Sequence, residues 1–307
     1  MDILTVGHCT IDLFMSVQGN SVSEEGAKMC FYHGSKIEAS EFETSVGGNA
    51  FNVAVGTKKL GLDATIYTEL GDDSFSTQIL NEIKTNEIDS SLIENNNKTK
   101  TNVSVIISYD NERTILGYRN KQSYNVSGWK SPKIIYYTSM PEGFESFQKQ
   151  LISYRKNHPE CIIVFNPGTI QLRSGLESMK PVLKITDILI VNKEEAKTLT
   201  KETSLISLHK SLQKLGPKLT AITLGEKGAS AHDGTTLVKT GARKCPKKVL
   251  DKTGAGDAFT SAFISAIFFN ESLKNALEWG VVNGSHVLSE IGPTKGLLTK
   301  KGVLKFL

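Results

Sequence analysis

Short apolar runs rich in β-branched residues recur along the chain and alternate with segments of helical spacing. The runs lie at 3–7, 61–68, 134–138, 161–168 and 185–191. Uninterrupted apolar runs are typical of strands buried on both faces. Between them, 74–83 and 144–155 have the periodicity of helices. The pattern predicts an α/β fold with a doubly wound, mainly parallel sheet flanked by helices.

Two stretches depart from this pattern. Residues 14–46 contain alternating apolar and polar positions, as in Phe31-Tyr32-His33, with polar and glycine-containing segments between them. This alternation predicts a β-ribbon outside the α/β core. The polar stretch 94–100 is predicted to be a mobile link.

Composition narrows the class of protein. A chain of 307 residues with 39% hydrophobic and 22% charged residues is ordinary for one large or two moderate globular domains. No apolar run approaches the roughly 20 residues of a membrane span. The start Met1-Asp2-Ile3 lacks the basic region of a signal peptide. We therefore expect a cytoplasmic protein without a membrane partner.

Cysteine, histidine and charge patterns favour neither a metal site nor nucleic acid. The cysteines are far apart without a C-x-x-C pair, and the six histidines form no H-x-x-x-H pair. Free thiols are therefore favoured over disulfides or zinc. The net charge is +4, with a basic cluster at 244–248 that is either a solvated loop or a means of concentrating an anionic nucleotide. The sequence contains no basic stripe with interleaved aromatic residues, so nucleic-acid binding is not predicted.

The stretch DKTGAGDAF at 251–259 carries the most chemistry. Apolar residues recur with helical spacing from Phe259 onward, which places the glycines at a helix N-terminus, where exposed N–H groups bind anions. Asp257 beside such a site suits a general base that takes a hydroxyl proton during phosphoryl transfer. The alternative is that Asp257 only favours its helix terminus. A dinucleotide fingerprint lacks its third glycine here, and no P-loop motif occurs.

This stretch resembles the C-terminal signature of the ribokinase-like (PfkB) carbohydrate kinases. VGGNAFNVAVG at 46–56 is similar to the N-terminal signature of the same family, and the resemblance covers essentially the whole chain. Lys252 departs from it, since threonine is more usual there. The resemblance implies an ATP-dependent sugar kinase with Asp257 as general base and Gly254, Ala255 and Gly256 as the anion hole.

The resemblance also implies a small β-sheet lid and an acceptor site. The lid would comprise 14–46 and 98–121, with Asp110-Asn111-Glu112 as a turn. The α/β domain would comprise 1–13, 47–97 and 122–307. The acceptor-binding residues would be Asp12, Gly47, Gly48 and Asn52. Arg119 either forks onto an acceptor carboxylate or phosphate, or is a solvated residue of an edge strand.

The resemblance assigns the nucleotide and metal sites as well. Asn192 and Glu195 would order hydrated Mg²⁺ and the phosphates, although without the resemblance the pair is better explained as a helix cap and a solvated acid. Thr223, Gly225 and Gly228 would form the nucleotide loop, with a plain hairpin as the alternative. The resemblance also puts Asn283 near the adenine, with a helix-surface asparagine as the alternative. Asp251 and Thr253 would form a monovalent-cation site for K⁺, completed by carbonyl groups of 289–292.

The acceptor is the open question. A sugar such as ribose or fructose is the first choice, a nucleoside the second, and 2-keto-3-deoxygluconate or a sugar phosphate the third. A catalytically silent nucleotide or sugar sensor is the alternative from a different class. We expect a monomer or a lid-mediated homodimer.

Overall fold

The computed structural model describes residues 1–18, 22–25, 28–109, 112–121 and 124–307. Strands are numbered in chain order: β1 (Ile3–Val6), β2 (Thr10–Val17), β3 (Val22–Glu25), β4 (Lys28–Phe31), β5 (Ala39–Gly47), β6 (Ala64–Tyr67), β7 (Glu69–Gly71), β8 (Glu94–Asn96), β9 (Val103–Tyr109), β10 (Glu112–Tyr118), β11 (Ile134–Tyr137), β12 (Ile162–Phe165), β13 (Ile188–Asn192), β14 (Leu219–Thr223), β15 (Ala229–His232) and β16 (Leu237–Thr240). The helices are α1 (Asn49–Lys59), α2 (Ser74–Thr85), α3 (Phe144–Asn157), α4 (Thr169–Arg173), α5 (Leu176–Leu183), α6 (Lys193–Thr200), α7 (Leu205–Gln213), α8 (Ala255–Phe268), α9 (Leu273–Val287) and α10 (Lys300–Phe306).

The central sheet has the order β16-β15-β14-β13-β12-β11-β1-β6. The pairings from β6 to β14 are parallel, and β15 and β16 extend the sheet antiparallel. Successive residues of β11 enter opposite cores: Tyr136 packs with α8 and α9, and Tyr137 packs with α3 and α5. Helices therefore cover both faces, which confirms the predicted doubly wound fold.

A separate small sheet has the order β10-β9-β2-β5. Its strands come from two distant parts of the chain, β2 with β5 and β9 with β10. They are joined through β2, which pairs with β5 on one side and with β9 on the other. The sheet begins at Thr10, so the predicted division after residue 13 falls inside β2. The division into domains at the other predicted boundaries stays a prediction. Asp110 and Asn111 of the predicted turn lie outside the described residues.

The expectation of a mobile link at 94–100 is wrong for its first residues. Glu94–Asn96 form β8, which pairs parallel with β7. The Asn96 amide also donates to the Glu69 carboxylate at 2.8 Å. Composition missed this strand because its hydrogen-bonding partner lies some 25 residues away in sequence. The four cysteines are free, as predicted, and Cys9 and Cys161 are buried.

Candidate active site

The glycine-rich stretch forms the N-terminus of α8, as predicted. Gly254 is the helix cap with φ +79°, a conformation that favours glycine, and a Cβ there would lie 2.5 Å from the Pro293 Cβ. A Cβ at Gly256 would meet nothing within 4 Å. One glycine is therefore required by the turn, and the other leaves open space in front of the helix N-terminus, where an anion is favoured.

Asp257 stands in the first turn of α8 and is only 7% exposed. Its carboxylate accepts hydrogen bonds from the Asn49 amide at 2.8 Å and from the Asn52 amide at 2.7 Å. Burial raises the pKa of Asp257 from 3.8 to about 6, although both amides favour the charged form. A carboxylate with a pKa near 6 is ionised at neutral pH and still suited to accept a proton.

Asn49 is a site residue that the sequence analysis did not single out. It is the first residue of α1, three positions before Asn52, so the two side chains lie on one helix face. That spacing was available in the sequence. Its target was not, because Asp257 is 208 positions away.

Asp12 lies on β2, 5% exposed and directly over Gly47, where any Cβ would overlap its carboxylate. Burial raises its pKa to about 6; Ser104 and Arg119 favour its charge, and Asp251 and Asp257 oppose it. Thus Asp12, next to Gly47, and Asp257 form one acidic region, and the acceptor site stays a prediction.

Gly48 caps α1 with φ +95°, and a Cβ there would overlap the His8 carbonyl oxygen. The glycine pair therefore lets the start of α1 approach the residues that precede β2.

Arg119 folds back onto its own sheet instead of extending outward: its guanidinium donates to the Val103 carbonyl at 3.0 Å and the Ser104 hydroxyl at 3.1 Å. It is half-buried and within electrostatic reach of Asp12. Its role toward an acceptor stays a prediction.

A cleft of about 820 Å³ opens between the small sheet and the loop before α8. Phe14, Ser16 and Ser108 line it from the sheet, and Asp251 and Lys252 line it from the loop. Glu226, in the turn after β14, completes the wall. The small sheet, the loop before α8 and the turn after β14 therefore face a common space. Asp12, Asp257 and the glycines at the N-terminus of α8 are not among the described residues that line it.

Asn192 and Thr223 end neighbouring parallel strands and are paired in register. Asn192 and Glu195 form a reciprocal capping box: the Asn192 side chain accepts from the Glu195 N–H at 2.9 Å, and Glu195 Oε2 accepts from the Asn192 N–H at 2.8 Å. The structure therefore shows the cap that the sequence offered as the alternative to a metal role. Burial raises the pKa of Glu195.

The capping box is compatible with hydrated Mg²⁺. A carboxylate has about four lone-pair sites, and the cap uses Oε2 of Glu195, so capacity remains to bind a water of the metal. Among the residues that the structure describes, no group of three or more His, Cys, Asp or Glu could hold a metal directly. Binding through water is the mode that these residues suit.

The turn after β14 contains both predicted glycines. Gly225 and Gly228 have φ +59° and +90°, and a Cβ at Gly228 would overlap the Thr240 carbonyl oxygen. β14 and β15 also form an antiparallel hairpin, so the alternative interpretation of this segment describes its backbone correctly.

Tyr136 on β11 is buried, and its pKa is raised mainly by burial and also by the charges of Asp257 and Glu195.

Asp251 and Thr253 are committed to protein contacts. Asp251 Oδ1 accepts from the Thr253 N–H at 2.8 Å and from its hydroxyl at 2.7 Å, while Oδ2 accepts from the Gly292 N–H at 3.1 Å. The predicted proximity to 289–292 is therefore present, but the side chains tie the loop to that segment. The lone pairs that remain on these oxygens leave a K⁺ site at Asp251 and Thr253 a prediction.

Asn283 requires a correction. It is 0% exposed, its amide donates to the Ala258 carbonyl at 2.9 Å, and its Oδ1 accepts from the Leu298 N–H at 2.9 Å. The side chain joins α9 to α8 and to the segment before α10, and it presents no atom to an adenine. Its helical position could not distinguish a buried asparagine from a ligand contact.

Solved structures confirm the fold. The nucleoside kinase of Methanocaldococcus jannaschii, an archaeal member of the ribokinase family, has a TM-score of 0.80 at 21% identity and covers 99% of this chain and 97% of its own. Ribokinase from Arabidopsis thaliana, complexed with ribose and ATP, gives the same TM-score, identity and coverage. These similarities place the chain in the class of proteins with the ribokinase fold.

The family follows from sequence comparison. The family model described as pfkB family carbohydrate kinase matches residues 1–300. The chain belongs to this family of kinases. Similar proteins include an ATP-dependent 6-phosphofructokinase of Thermoanaerobacterium thermosaccharolyticum, 25% identical and covering 95% of this chain and 89% of that protein. A ribokinase of Lactococcus lactis is 26% identical and covers 86% of each. Over the described residues, no helix is long and apolar enough to cross a membrane.

Proposed function

We propose that the protein transfers the γ-phosphoryl group of ATP to a hydroxyl group of a small sugar of the ribose or fructose type. The observation that carries this proposal is the buried Asp257 carboxylate in the first turn of α8, held by two amides beside open space at Gly256. Asp257 takes the proton of the acceptor hydroxyl as its oxygen attacks the γ-phosphorus, and ADP leaves. The N–H groups of Gly254, Ala255 and Gly256 stabilise the charge on the transferring group.

The remaining residues bind the two substrates. Asp12, Gly47, Gly48 and Asn52 orient the acceptor, and the small sheet acts as a lid over it. Asn192 and Glu195 would hold a hydrated Mg²⁺, and the turn from Thr223 to Gly228 would contact the nucleotide. Mg²⁺ supplies charge neutralisation along the phosphate chain. A closed lid excludes water, which would otherwise compete as the acceptor.

Relatives named for fructose and ribose phosphorylation support a sugar. Nucleosides are the second candidate, since inosine is bound in a structural neighbour from Burkholderia thailandensis. 2-Keto-3-deoxygluconate and sugar phosphates come third, with Arg119 beside Asp12 as the cation that an acidic acceptor would use.

Exposed Phe42, Leu116 and Tyr118 on the small sheet support a lid-mediated homodimer over a monomer, and the mass in solution from light scattering distinguishes the two.

The test is ADP release from ATP and Mg²⁺ with ribose, fructose, fructose 6-phosphate, adenosine, inosine, cytidine or 2-keto-3-deoxygluconate. We expect one acceptor to stimulate release well above the rate with ATP alone. The same panel with Asp257→Asn is the control for contaminating kinases. Measurable ATP binding without stimulation by any acceptor would contradict the proposal and favour the silent sensor.

A further inference from the structure

Both carboxylate oxygens of Asp257 are held by side chains of a single helix turn. The Asn49 amide donates to Oδ1 at 2.8 Å, and the Asn52 amide donates to Oδ2 at 2.7 Å. Asn52 is 4% exposed, whereas Asn49 is only half-buried. We call this arrangement the amide clamp, and Asn49 is its accessible arm.

A clamp at two points has two physical effects. Attachment through both oxygens prevents rotation of the carboxylate, so the lone pairs that remain for a substrate hydroxyl have fixed directions. Each amide also stabilises the ionised form, which opposes the effect of burial. Asp257 takes part in none of the salt bridges found among the described residues, so the amides are its main charge-stabilising contacts.

We propose that Asn49 is a positioning residue for phosphoryl transfer, which aims the Asp257 carboxylate at the acceptor hydroxyl and keeps it ionised. This inference rests on the proposed function, in which Asp257 is the base. Neither sequence signature identifies Asn49 for this role; the contact across 208 positions does.

Other titratable groups around Asp257 do not replace the clamp. The Asp12 carboxyl on β2 and the Tyr136 phenol on β11 interact with its charge unfavourably. In the loop before α8, Asp251 is bonded to Thr253 and Gly292, and Lys252 lines the outer cleft. Removal of the Asn49 amide therefore leaves Asn52 as the remaining donor to the carboxylate.

The variant that tests the proposal is Asn49→Ala, with kcat/KM measured against pH for the acceptor found above. We expect the acidic limb to move upward by about one pH unit, because a hydrogen bond to a charged group is lost. We also expect the high-pH plateau to fall about tenfold, because orientation is lost at every pH. The KM for ATP should be unchanged.

Asn275→Ala is the matched control. It also removes an amide-to-carboxylate hydrogen bond of 2.8 Å, to Glu271, but at the N-terminus of α9. Its acidic limb should coincide with that of the wild type. If Asn49→Ala does not fold, Asn49→Ser is used, because serine and asparagine have similar helix propensities. An unmoved acidic limb in a folded Asn49 variant overturns the proposal.

A direct titration separates this inference from the proposed function. Aspartate labelled with ¹³C at the carboxyl carbon reports the Asp257 titration by NMR, and Asp257→Asn assigns the signal. The signal should titrate near pH 6 in the wild type and at higher pH in the Asn49 variant. If no acceptor is phosphorylated, the proposed function fails while this titration still tests the clamp; identical titrations in the two proteins overturn it.

Discussion

Replacing Asp257 with asparagine tests its burial and its function in one variant. The carboxyl pKa is about 6 in the folded protein instead of 3.8, because burial disfavours the charge more than the two amides favour it. The folded state therefore binds this proton more tightly than the unfolded state does. The contribution of this proton to the free energy of unfolding is fully present below pH 3.8 and is lost as the pH rises through 6.

The size of the effect follows from the two pKa values. Their difference corresponds to about 3 kcal/mol at full ionisation, of which about 2 kcal/mol develops between pH 4.5 and pH 7.5. Asparagine does not ionise, so this loss is absent in Asp257→Asn. The free energy of unfolding of the variant, relative to that of the wild type, should therefore rise by about 2 kcal/mol between pH 4.5 and pH 7.5. Asp12 titrates in both proteins, and loss of the Asp257 charge lowers the pKa of Asp12, which changes the stability difference in the same direction.

Urea unfolding at the two pH values measures this difference. The control is Asp233→Asn, because hydrogen bonds from Thr235 and Thr236 lower the pKa of this exposed carboxyl to about 2. Its stability difference from the wild type should be constant over the same interval. At neutral pH, Asp257→Asn should also lose turnover by ~10²–10⁴ while ATP still binds. A stability difference that does not change with pH would refute the burial argument, and wild-type turnover would refute the base.

Three further variants separate structural from catalytic roles. Gly254→Ala should lower the melting temperature, because φ is +79° and Pro293 occupies the space that a Cβ would need. Gly256→Ala should keep its stability and lose activity, because its Cβ would enter the open space at the helix N-terminus. Differential scanning fluorimetry combined with kinetics tests both variants, and an equal loss of stability in the two would contradict the distinction. Asn283→Ala should cost about 1–3 kcal/mol in urea unfolding with the KM for ATP unchanged; a raised KM in an equally stable protein would restore the adenine role.

The fold was predictable because it depends on local patterns. Buried parallel strands require continuous apolar runs, and those of β1, β11 and β12 are visible in the sequence. The glycine-rich start of α8 was equally visible, since an anion site at a helix N-terminus needs residues without bulk. β8 was missed because three polar residues form a strand only through their distant partner, β7.

The site was less predictable because its contacts join distant segments. The role of Asn49 depends on a carboxylate 208 positions away, and that of Asn283 on a backbone carbonyl 25 positions away. Asn192 and Glu195 were identified as a pair, yet their spacing fits a capping box as well as a metal site, and the geometry shows the box. Spacing alone could not choose, because a capping carboxylate keeps lone pairs for a second partner.

The two glycine motifs become one site through helix packing. α1 and α8 approach so closely at Gly56 that any Cβ there would overlap the Ser261 hydroxyl. Close contact along the helices aligns their N-termini, which brings Asn49 and Asn52 against Asp257. The positive ends of both helix dipoles then converge on the same carboxylate and on the space in front of it. Gly56, remote from the chemistry, is therefore part of what keeps a buried charge tolerable at the centre of the site.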